Sequence, residues 1–282
     1  MIPAKFDYVR AKSVAQAREL LREHGEDAKL LAGGHSLIPM MKLRLAQPRV
    51  LVDIAGIPGM DSIEVAAGAV TIGALVRHAA LAASEPLRRS APALWDAANE
   101  LGDAQVRNRG TIGGACAHAD PAADYPAVML ALDAVLTLEG ERRRSIRAAD
   151  FFQGMFETAL ATDDVLSAVA FALAPHSAYV KLHHPASHYA VAGVAAKLEL
   201  AGGTIASARI ALTGVGFAAF RAPAVEAALA GIAVLDTAAI RAACTGAAAG
   251  ADIRSDAYAS AAYRTAMADV FAARAVERAA AR

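Results

Sequence analysis

Two glycine-rich segments carry residue types that could bind a charged ligand. In residues 31–37 (LAGGHSL), an apolar stretch runs straight into Gly33 and Gly34, and the hydroxyl of Ser36 follows. Because glycine lacks a Cβ, backbone N–H groups at such a turn can converge on an anion, and the serine can donate one more hydrogen bond. Residues 107–114 (RNRGTIGG) have the same character. Each segment alone is more simply a tight turn, whereas the pair predicts one diphosphate held from both sides.

Two carboxylates follow the second glycine-rich segment. Residues 120–126 (DPAADYP) contain Asp120 and Asp124, whose oxygens could accept hydrogen bonds from ribose hydroxyls or an adenine amino group. Asp124 is the better candidate, because its spacing lets it fold back over a ligand bound at the preceding loop. For Asp120, an Asx turn or a helix N-cap is an equally good explanation.

The remaining motifs predict no second ligand. Residues 214–219 (GVGFAA) formally match a dinucleotide-binding fingerprint, but the next helix is expected to begin only at Pro223, so we interpret them as a strand-to-helix connection. His183, His184 and His188 have no carboxylate or cysteine beside them, which favours surface histidines over a metal site. The sequence therefore predicts no metal ligand, and we assign no catalytic residue.

The composition disfavours several classes of protein. The 282 residues include 28 Lys+Arg and 28 Asp+Glu, and we interpret the one compact basic run, residues 142–144, as a solvated turn, so a nucleic-acid partner is not expected. Cys116 and Cys244 are too few to ligate an iron–sulfur cluster, so any such cluster must belong to a partner. The sequence has no apolar stretch of about 18 residues and no signal peptide, which predicts a soluble, cytoplasmic protein without a transmembrane segment.

Hydrophobic periodicity predicts helices and strands around these motifs. Ser13 and Gln16 form a capping box at the start of a helix that Gly25 ends, and the strands after it make a βαβ-like unit. Residues 102–124 show little periodicity and are predicted to be a long loop. The other predicted elements are strands at 28–32, 48–54, 63–65, 70–72, 135–139, 165–173, 189–200 and 205–212, and helices at 75–83, 92–101 and 126–132, from Pro223, from Asp236 and over 255–280.

The pair AGGHSLIP and RNRGTIGG, followed by ADPAADYPAVMLALDA, resembles the FAD-binding medium subunits of molybdenum hydroxylases, including those of aerobic carbon monoxide dehydrogenases and the flavin domains of xanthine dehydrogenase relatives. The order and spacing of the motifs fit over essentially the whole chain. The resemblance implies an α+β fold of the vanillyl-alcohol-oxidase (PCMH-like) type. Its expected parts are FAD-binding lobe 1 (residues 1–55), FAD-binding lobe 2 (56–175) and a C-terminal CO-dehydrogenase-flavoprotein-like domain with a small antiparallel sheet and helices (178–282).

The resemblance also implies which residues contact FAD. Asp124 would lie at the ribose or adenine, Leu166 and Lys181 would touch the cofactor, and Tyr189 would lie against the isoalloxazine ring. Between that lysine and that tyrosine, relatives usually carry Arg and Asp where this chain reads LHHPASH, which leaves open how the C-terminal lobe is held over the flavin. The residues expected at the diphosphate are Ala32, Gly33, Gly34, His35, Ser36, Leu37, Thr111, Ile112, Gly113 and Gly114.

The function implied is an electron relay inside a larger complex. A small subunit with [2Fe–2S] clusters would deliver electrons to FAD, and a quinone, NAD or oxygen would receive them, while a large molybdopterin-binding subunit oxidises the substrate. The resemblance further implies a dimer of heterotrimers, and peripheral membrane association is compatible with it. Two alternatives remain: a stand-alone FAD-dependent oxidase or dehydrogenase of the same fold, and a non-enzymatic nucleotide-binding module. Flavin absorbance separates the module from both flavoproteins, and co-purification with molybdenum and iron separates the subunit from the lone enzyme.

Overall fold

A parallel sheet of three strands begins the chain in the computed structural model, which describes residues 2–282. The strand order is β1-β3-β2. The predicted cap is confirmed, because the Ser13 hydroxyl accepts the Gln16 amide at 3.2 Å and the helix ends at Gly25. The βαβ unit is also confirmed. The elements are β1 (Asp7–Arg10), α1 (Val14–His24), β2 (Ala28–Leu31), α2 (Leu37–Lys42) and β3 (Val50–Asp53).

An antiparallel sheet of five strands, in the order β4-β5-β10-β6-β7, forms the second lobe. The predicted hairpin is confirmed, with Gly68 in the left-handed region at φ 79°. The interpretation of residues 142–144 as a turn is wrong for Arg143 and Arg144, which begin an exposed edge strand. Edge strands commonly carry charged side chains, so this one lacks an apolar pattern. The strands are β4 (Ile63–Ala66), β5 (Ala69–Gly73), β6 (Val135–Glu139), β7 (Arg143–Arg147) and β10 (Val165–Ala172), and β8 (Phe152–Gly154) and β9 (Glu157–Thr158) form a separate hairpin.

The prediction of a long loop at residues 102–124 is wrong. Asp103 and Thr111 cap two helices there, of six and seven residues, which are too short to show a hydrophobic period. Their position is fixed by tertiary contacts that glycine makes possible, which local propensity does not encode. The helices of this lobe are α3 (His78–Ala83), α4 (Glu85–Ser90), α5 (Pro92–Glu100), α6 (Ala104–Arg109), α7 (Ile112–His118), α8 (Asp124–Ala131) and α9 (Ala148–Phe151).

The C-terminal lobe is a four-stranded antiparallel sheet, β11-β12-β13-β14, covered by helices. Both predicted strands are confirmed, and two further strands flank them. The last helix begins at Ala261 and not near Ser255, because the Asp256 carboxylate holds the intervening residues in a turn by accepting the Tyr258 amide at 3.0 Å. The elements are β11 (Ser177–His183), β12 (Ala190–Ala201), β13 (Thr204–Thr213), β14 (Phe220–Arg221), α10 (Pro223–Leu229), α11 (Thr237–Ala243) and α12 (Ala261–Ala280).

Two apolar cores hold these layers together. One runs through the first two lobes and reaches Tyr179, and the other lies between the C-terminal sheet and its helices, where Ile210, Phe271 and Val276 are buried. Residues 214–219 lie between β13 and α10, and that helix begins at Pro223, as the interpretation of a strand-to-helix connection requires. Among residues 2–282, no helix has the length and apolar character needed to cross a membrane.

Candidate functional site

The two glycine-rich segments touch each other. A Cβ on Gly33 would lie 2.2 Å from the carbonyl oxygen of Arg109 and 2.7 Å from the Cα of Gly110. Only glycine at position 33 permits this approach, because no real Cβ tolerates such distances from backbone atoms. The first glycine loop (residues 32–37) and the second glycine loop (residues 110–114) therefore lie against each other on the same side of the molecule.

The first glycine loop presents a row of unused backbone donors. Within residues 2–282, the amides of Gly33, Gly34, His35 and Ser36 donate to no protein acceptor. The loop carbonyls are used instead: those of Gly34 and Ser36 accept amides of the first turn of α2 at 3.0 and 3.2 Å. With its carbonyls turned into the helix and its amides free, the loop has the geometry that binds an anion.

The second glycine loop uses its amides inside the protein. The Ile112 and Gly113 amides donate to carbonyls of segment 74–76 at 3.0 and 2.9 Å, and the Thr111 hydroxyl accepts the Gly114 amide at 3.2 Å. This loop therefore contributes backbone packed against the first loop, and its amides are already bonded. Sequence alone treated the two loops as equivalent, because both are rich in glycine.

A buried histidine supports the second loop, and sequence reasoning missed it. The His78 amide donates to the Gly110 carbonyl at 3.0 Å, and its Nδ1 pairs with the Tyr125 hydroxyl at 3.0 Å. Burial, helped by the nearby charges of His35 and Arg107, lowers the pKa of His78 to about 4. The imidazole is therefore neutral at pH 7. Nothing in the sequence distinguishes this histidine from a surface one.

Tyr189 lies in a cleft of about 530 Å³ between the second and C-terminal lobes, which we call the Tyr189 cleft. Its side chain is 43% exposed, and burial, followed by Asp120 and Asp124, raises its pKa to about 12, so the hydroxyl stays protonated at neutral pH. The lining combines apolar side chains with a few polar and charged ones, as small-molecule pockets commonly do. The lining includes Asp120, Met155, Phe156, His184, Tyr189, Phe217, Asp256 and Arg264.

Helix α7 connects the second glycine loop to the Tyr189 cleft. Its seven residues span about 10 Å, and the chain enters the cleft lining at Asp120 just beyond its end. Asp120 itself accepts the Ala122 amide at 2.8 Å, so it forms the Asx turn that the sequence offered as one alternative. One short helix thus separates the second glycine loop from the Tyr189 cleft.

Comparison with known proteins identifies the family. A model described as the FAD binding domain in molybdopterin dehydrogenase matches residues 4–172, and one described as the CO dehydrogenase flavoprotein C-terminal domain matches residues 177–279. The carbon monoxide dehydrogenase medium chain of Afipia carboxidovorans is 42% identical over 286 residues, covering 100% of this chain and 99% of that protein. The chain belongs to this family of FAD-binding molybdenum hydroxylase subunits.

Two further similarities agree with that assignment. The carbon monoxide dehydrogenase medium chain of Hydrogenophaga pseudoflava is 44% identical over 225 residues, which cover 78% of each chain. A solved structure of the carbon monoxide dehydrogenase from Hydrogenophaga pseudoflava, which lacks the Mo-pyranopterin moiety of the molybdenum cofactor, matches with a TM-score of 0.94 at 44% identity, over 100% of this chain and 99% of that one. The predicted α+β fold and the FAD cofactor of this flavoprotein subunit are confirmed.

Within this flavoprotein subunit, Asp124 and Lys181 lie together in a buried ion pair. The Lys181 ammonium donates to both Asp124 oxygens at 3.0 Å, and the Tyr179 hydroxyl donates to Oδ1 at 2.5 Å. Burial raises the pKa of Asp124, although the lysine and the tyrosine oppose the shift. The pair ties α8 of the FAD-binding part to β11 of the C-terminal lobe, which explains how that lobe is held. That either residue contacts FAD stays a prediction.

Leu166 lies beside the second glycine loop but on a buried strand. It belongs to β10, is 6% exposed and pairs with Leu138 of β6. The next residue, Ser167, accepts the Ala74 amide at 2.9 Å, and Ala74 in turn accepts the amide of Gly113. One continuous hydrogen-bonded path therefore joins Leu166 to the loop. Its predicted contact with FAD remains a prediction.

The interpretation of the three histidines before Tyr189 as residues without a carboxylate beside them is wrong for His183, which ends β11. His183 Nε2 pairs with the Glu100 carboxylate at 2.6 Å, which adds a contact between α5 and β11. The His184 ring lies 4.4 Å from that of Tyr258, and the carbonyl of His188 accepts the Lys181 ammonium at 2.8 Å. Within the described part of the chain, residues 2–282, no group of three or more His, Cys, Asp or Glu could hold a metal ion.

Proposed function

We propose that this chain is the electron-transfer subunit of a molybdenum hydroxylase complex. It would receive electrons from [2Fe–2S] clusters of a small subunit and pass them to an external acceptor, a quinone, NAD or oxygen. FAD supplies the redox chemistry, since a flavin exchanges electrons singly or in pairs. The observation that carries the proposal is the row of free amides at residues 33–36, held against the second glycine loop.

Each part of the site has a distinct task in this proposal. The free amides of residues 33–36 in the first loop, which runs from Ala32 to Leu37, donate to the diphosphate, and the second loop, from Thr111 to Gly114, closes the site from the opposite side. Tyr189 covers one face of the isoalloxazine ring in its cleft. Asp124, Lys181 and Leu166 complete the contacts. Support comes from the length of α7, about 10 Å, which separates the two ends of the site.

The proposed partners are a large molybdopterin-binding subunit and the small [2Fe–2S] subunit, in a dimer of heterotrimers in the cytoplasm. Cys116 and Cys244 are both buried at 0% exposure, so neither is available to a cluster in this chain. We retain the division into residues 1–55, 56–175 and 178–282, because each part has its own sheet and the C-terminal part has its own apolar core. Substrate choice would belong to the large subunit.

Titration of the purified chain with FAD tests the binding site. We expect one FAD per chain, a visible flavin spectrum and a raised anisotropy of the flavin fluorescence. A folded chain that stays colourless in excess FAD would contradict the proposal. Co-expression with candidate large and small subunits tests the complex: we expect one assembly that contains molybdenum and iron and reduces its flavin on addition of substrate. A chain that binds FAD and oxidises a small substrate alone would instead be the stand-alone enzyme.

A further inference from the structure

A fully buried arginine lies behind the Tyr189 cleft. Arg264 of α12 is 2% exposed and is the largest fully buried side chain among residues 2–282. Burying a guanidinium is unfavourable unless its N–H groups are bonded, and burial, together with Arg254, lowers the pKa of Arg264. The residue also lines the cleft, and its Nε has no partner in the described chain. Because burying an arginine is unfavourable, we expect Arg264 to have a specific role. FAD binding by the glycine loops does not explain it.

The first set of hydrogen bonds from Arg264 holds two backbone segments that lie beside Tyr189. Its Nη1 donates to the carbonyls of Val191 and Gly214, both at 2.7 Å. Gly214 has a φ of 78°, and a Cβ there would lie 2.3 Å from the carbonyl oxygen of Ala190. The guanidinium therefore joins the start of β12 to the loop after β13, and the two segments press together directly behind Tyr189.

The second set of contacts from Arg264 reaches Tyr189 through Asp256, Tyr258 and His184. Arg264 Nη2 donates to the Asp256 carboxylate at 2.5 Å, and Asp256 holds the turn that presents Tyr258. The Tyr258 ring lies 4.4 Å from that of His184, whose amide donates to the carbonyl of Tyr189 at 2.8 Å. Both sets of contacts thus converge on the same tyrosine.

The Asp256 carboxylate that bonds Arg264 has a lowered pKa. Partial burial alone would raise the pKa of Asp256, but the Ala259 amide and then Arg254, Tyr258 and Arg264 lower it to about 2. The carboxylate is therefore charged from weakly acidic to basic pH. No protonation step releases the turn in that range.

We propose that Arg264 is a positioning residue that fixes Tyr189 in the cleft and so determines how well the FAD ring is shielded from solvent. The inference rests on the proposed function, because it assumes that the ring lies in the Tyr189 cleft. Without Arg264, two carbonyls and a carboxylate lose their donor, and segment 184–191 is no longer held from behind. Tyr189 then samples positions away from the ring, while the diphosphate contacts at the glycine loops remain.

Iodide quenching of flavin fluorescence in the FAD-loaded full-length chain tests this inference. Arg264→Met should raise the quenching constant by about twofold or more, while the Kd for FAD changes by less than about threefold, because only the ring end of the site opens. Tyr189→Ala should give a similar rise, and the double variant should add little to either, as expected for two residues in one contact chain. Arg264→Lys, which keeps the charge and fewer bonds, should lie between wild type and Arg264→Met.

Arg278→Met is the matched control. It removes an arginine from the same helix that bonds Asp96 instead, so quenching should stay at the wild-type value even if stability falls. Wild-type quenching in a folded, FAD-loaded Arg264→Met chain would overturn the inference, and so would effects of Arg264→Met and Tyr189→Ala that add in full. Should Arg264→Met fail to fold, Asp256→Asn cuts only the second set of contacts and must still raise quenching. A wild-type chain that takes up no FAD would overturn the proposed function itself and this inference with it.

Discussion

At the scale of single residues, the site depends on Gly33 and His78, and only Gly33 could be identified from the sequence. Gly33 is visible in the sequence, because a double glycine after an apolar stretch marks a backbone approach. His78 is invisible there, because its neutral state follows from burial beneath Gly110 and from its bond to Tyr125. Both residues act on the geometry of the two glycine loops, one from within the site and one from below.

Gly33→Ala should weaken FAD binding by about tenfold or more and cost about 1–3 kcal/mol of stability, because the new methyl group overlaps the backbone of residues 109 and 110. Fluorescence titration with FAD and urea unfolding measure the two effects. Gly68→Ala is the matched control: it meets no atom within 4 Å but has a left-handed φ, so it should cost about 1 kcal/mol without any loss of FAD affinity. Equal affinities in the two variants would show that the contact between the loops is not required.

His78 should make the chain less stable in mild acid. Its pKa is lowered from 6.5 to about 4 in the folded state, so the unfolded chain binds the proton first and stability falls as the pH drops from 6.5 towards 4. At pH 5 the loss from this one group should be about 2 kcal/mol relative to pH 8. His78→Gln keeps a polar partner for Tyr125 and cannot titrate, so urea unfolding should show a shallower pH dependence. Identical slopes in both proteins would exclude His78 as the titrating group.

At the scale of elements, the end of α12 is anchored to α5 through one carboxylate. Asp96 has a side chain that is 1% exposed, and it accepts the Tyr179 amide at 3.1 Å together with Arg278 and Arg282 at 3.2 and 2.8 Å. Arg282 also donates to the Ser177 carbonyl at 2.6 Å. The last helix therefore holds the beginning of the C-terminal lobe against the FAD-binding part.

Asp96→Asn should destabilise the protein by about 2 kcal/mol, which is less than a fully buried pair would lose because both arginines keep some solvent contact. The same helix offers a control in Glu277→Gln, which breaks the exposed pair with Arg241 and should cost less than about 1 kcal/mol. Denaturant midpoints of the two variants give the comparison. If Glu277→Gln proved as harmful as Asp96→Asn, burial of the carboxylate would not be the reason for the loss.

At the scale of the whole molecule, the relation between the lobes depends on the buried triad of Asp124, Lys181 and Tyr179. The triad lies between α8 and β11, next to the cleft that Tyr189 lines, so the packing of the C-terminal lobe and the shape of the ring site are set together. The pair of His183 and Glu100 adds a second contact between the FAD-binding part and the C-terminal lobe.

A double-mutant cycle on Asp124→Asn and Lys181→Met should separate two roles. Each single change should cost about 3–5 kcal/mol because it leaves a buried charge unpaired, and the double variant should cost clearly less than the sum. FAD titration of the same variants tests the predicted contacts. Affinity that recovers in the double variant means that the pair only holds the lobe, whereas affinity that stays low in it means direct contact with FAD. Fully additive losses of stability would contradict the ion pair itself.

The sequence by itself determined the features that depend on residues close together along the chain. Capping residues, a Gly68 turn and apolar periods predicted α1, the hairpin and the long strands. The two glycine-rich segments predicted a diphosphate site, and FAD followed from their resemblance to a known family. The sequence did not predict the short helices α6 and α7 or the edge strand β7. Six or seven residues show no hydrophobic period, and an exposed edge strand needs no apolar face.

Tertiary structure alone decided which groups are free and which are already bonded. The amides of residues 33–36 remain available, while those of Ile112 and Gly113 are taken by segment 74–76, although both loops look alike as sequence. Asp124 and Lys181, distant along the chain, neutralise each other, and Arg264 reaches Tyr189 through residues that no motif marks. The physical reason is common to all of these: hydrogen-bond satisfaction and burial are set by neighbours in space, which a linear pattern does not contain.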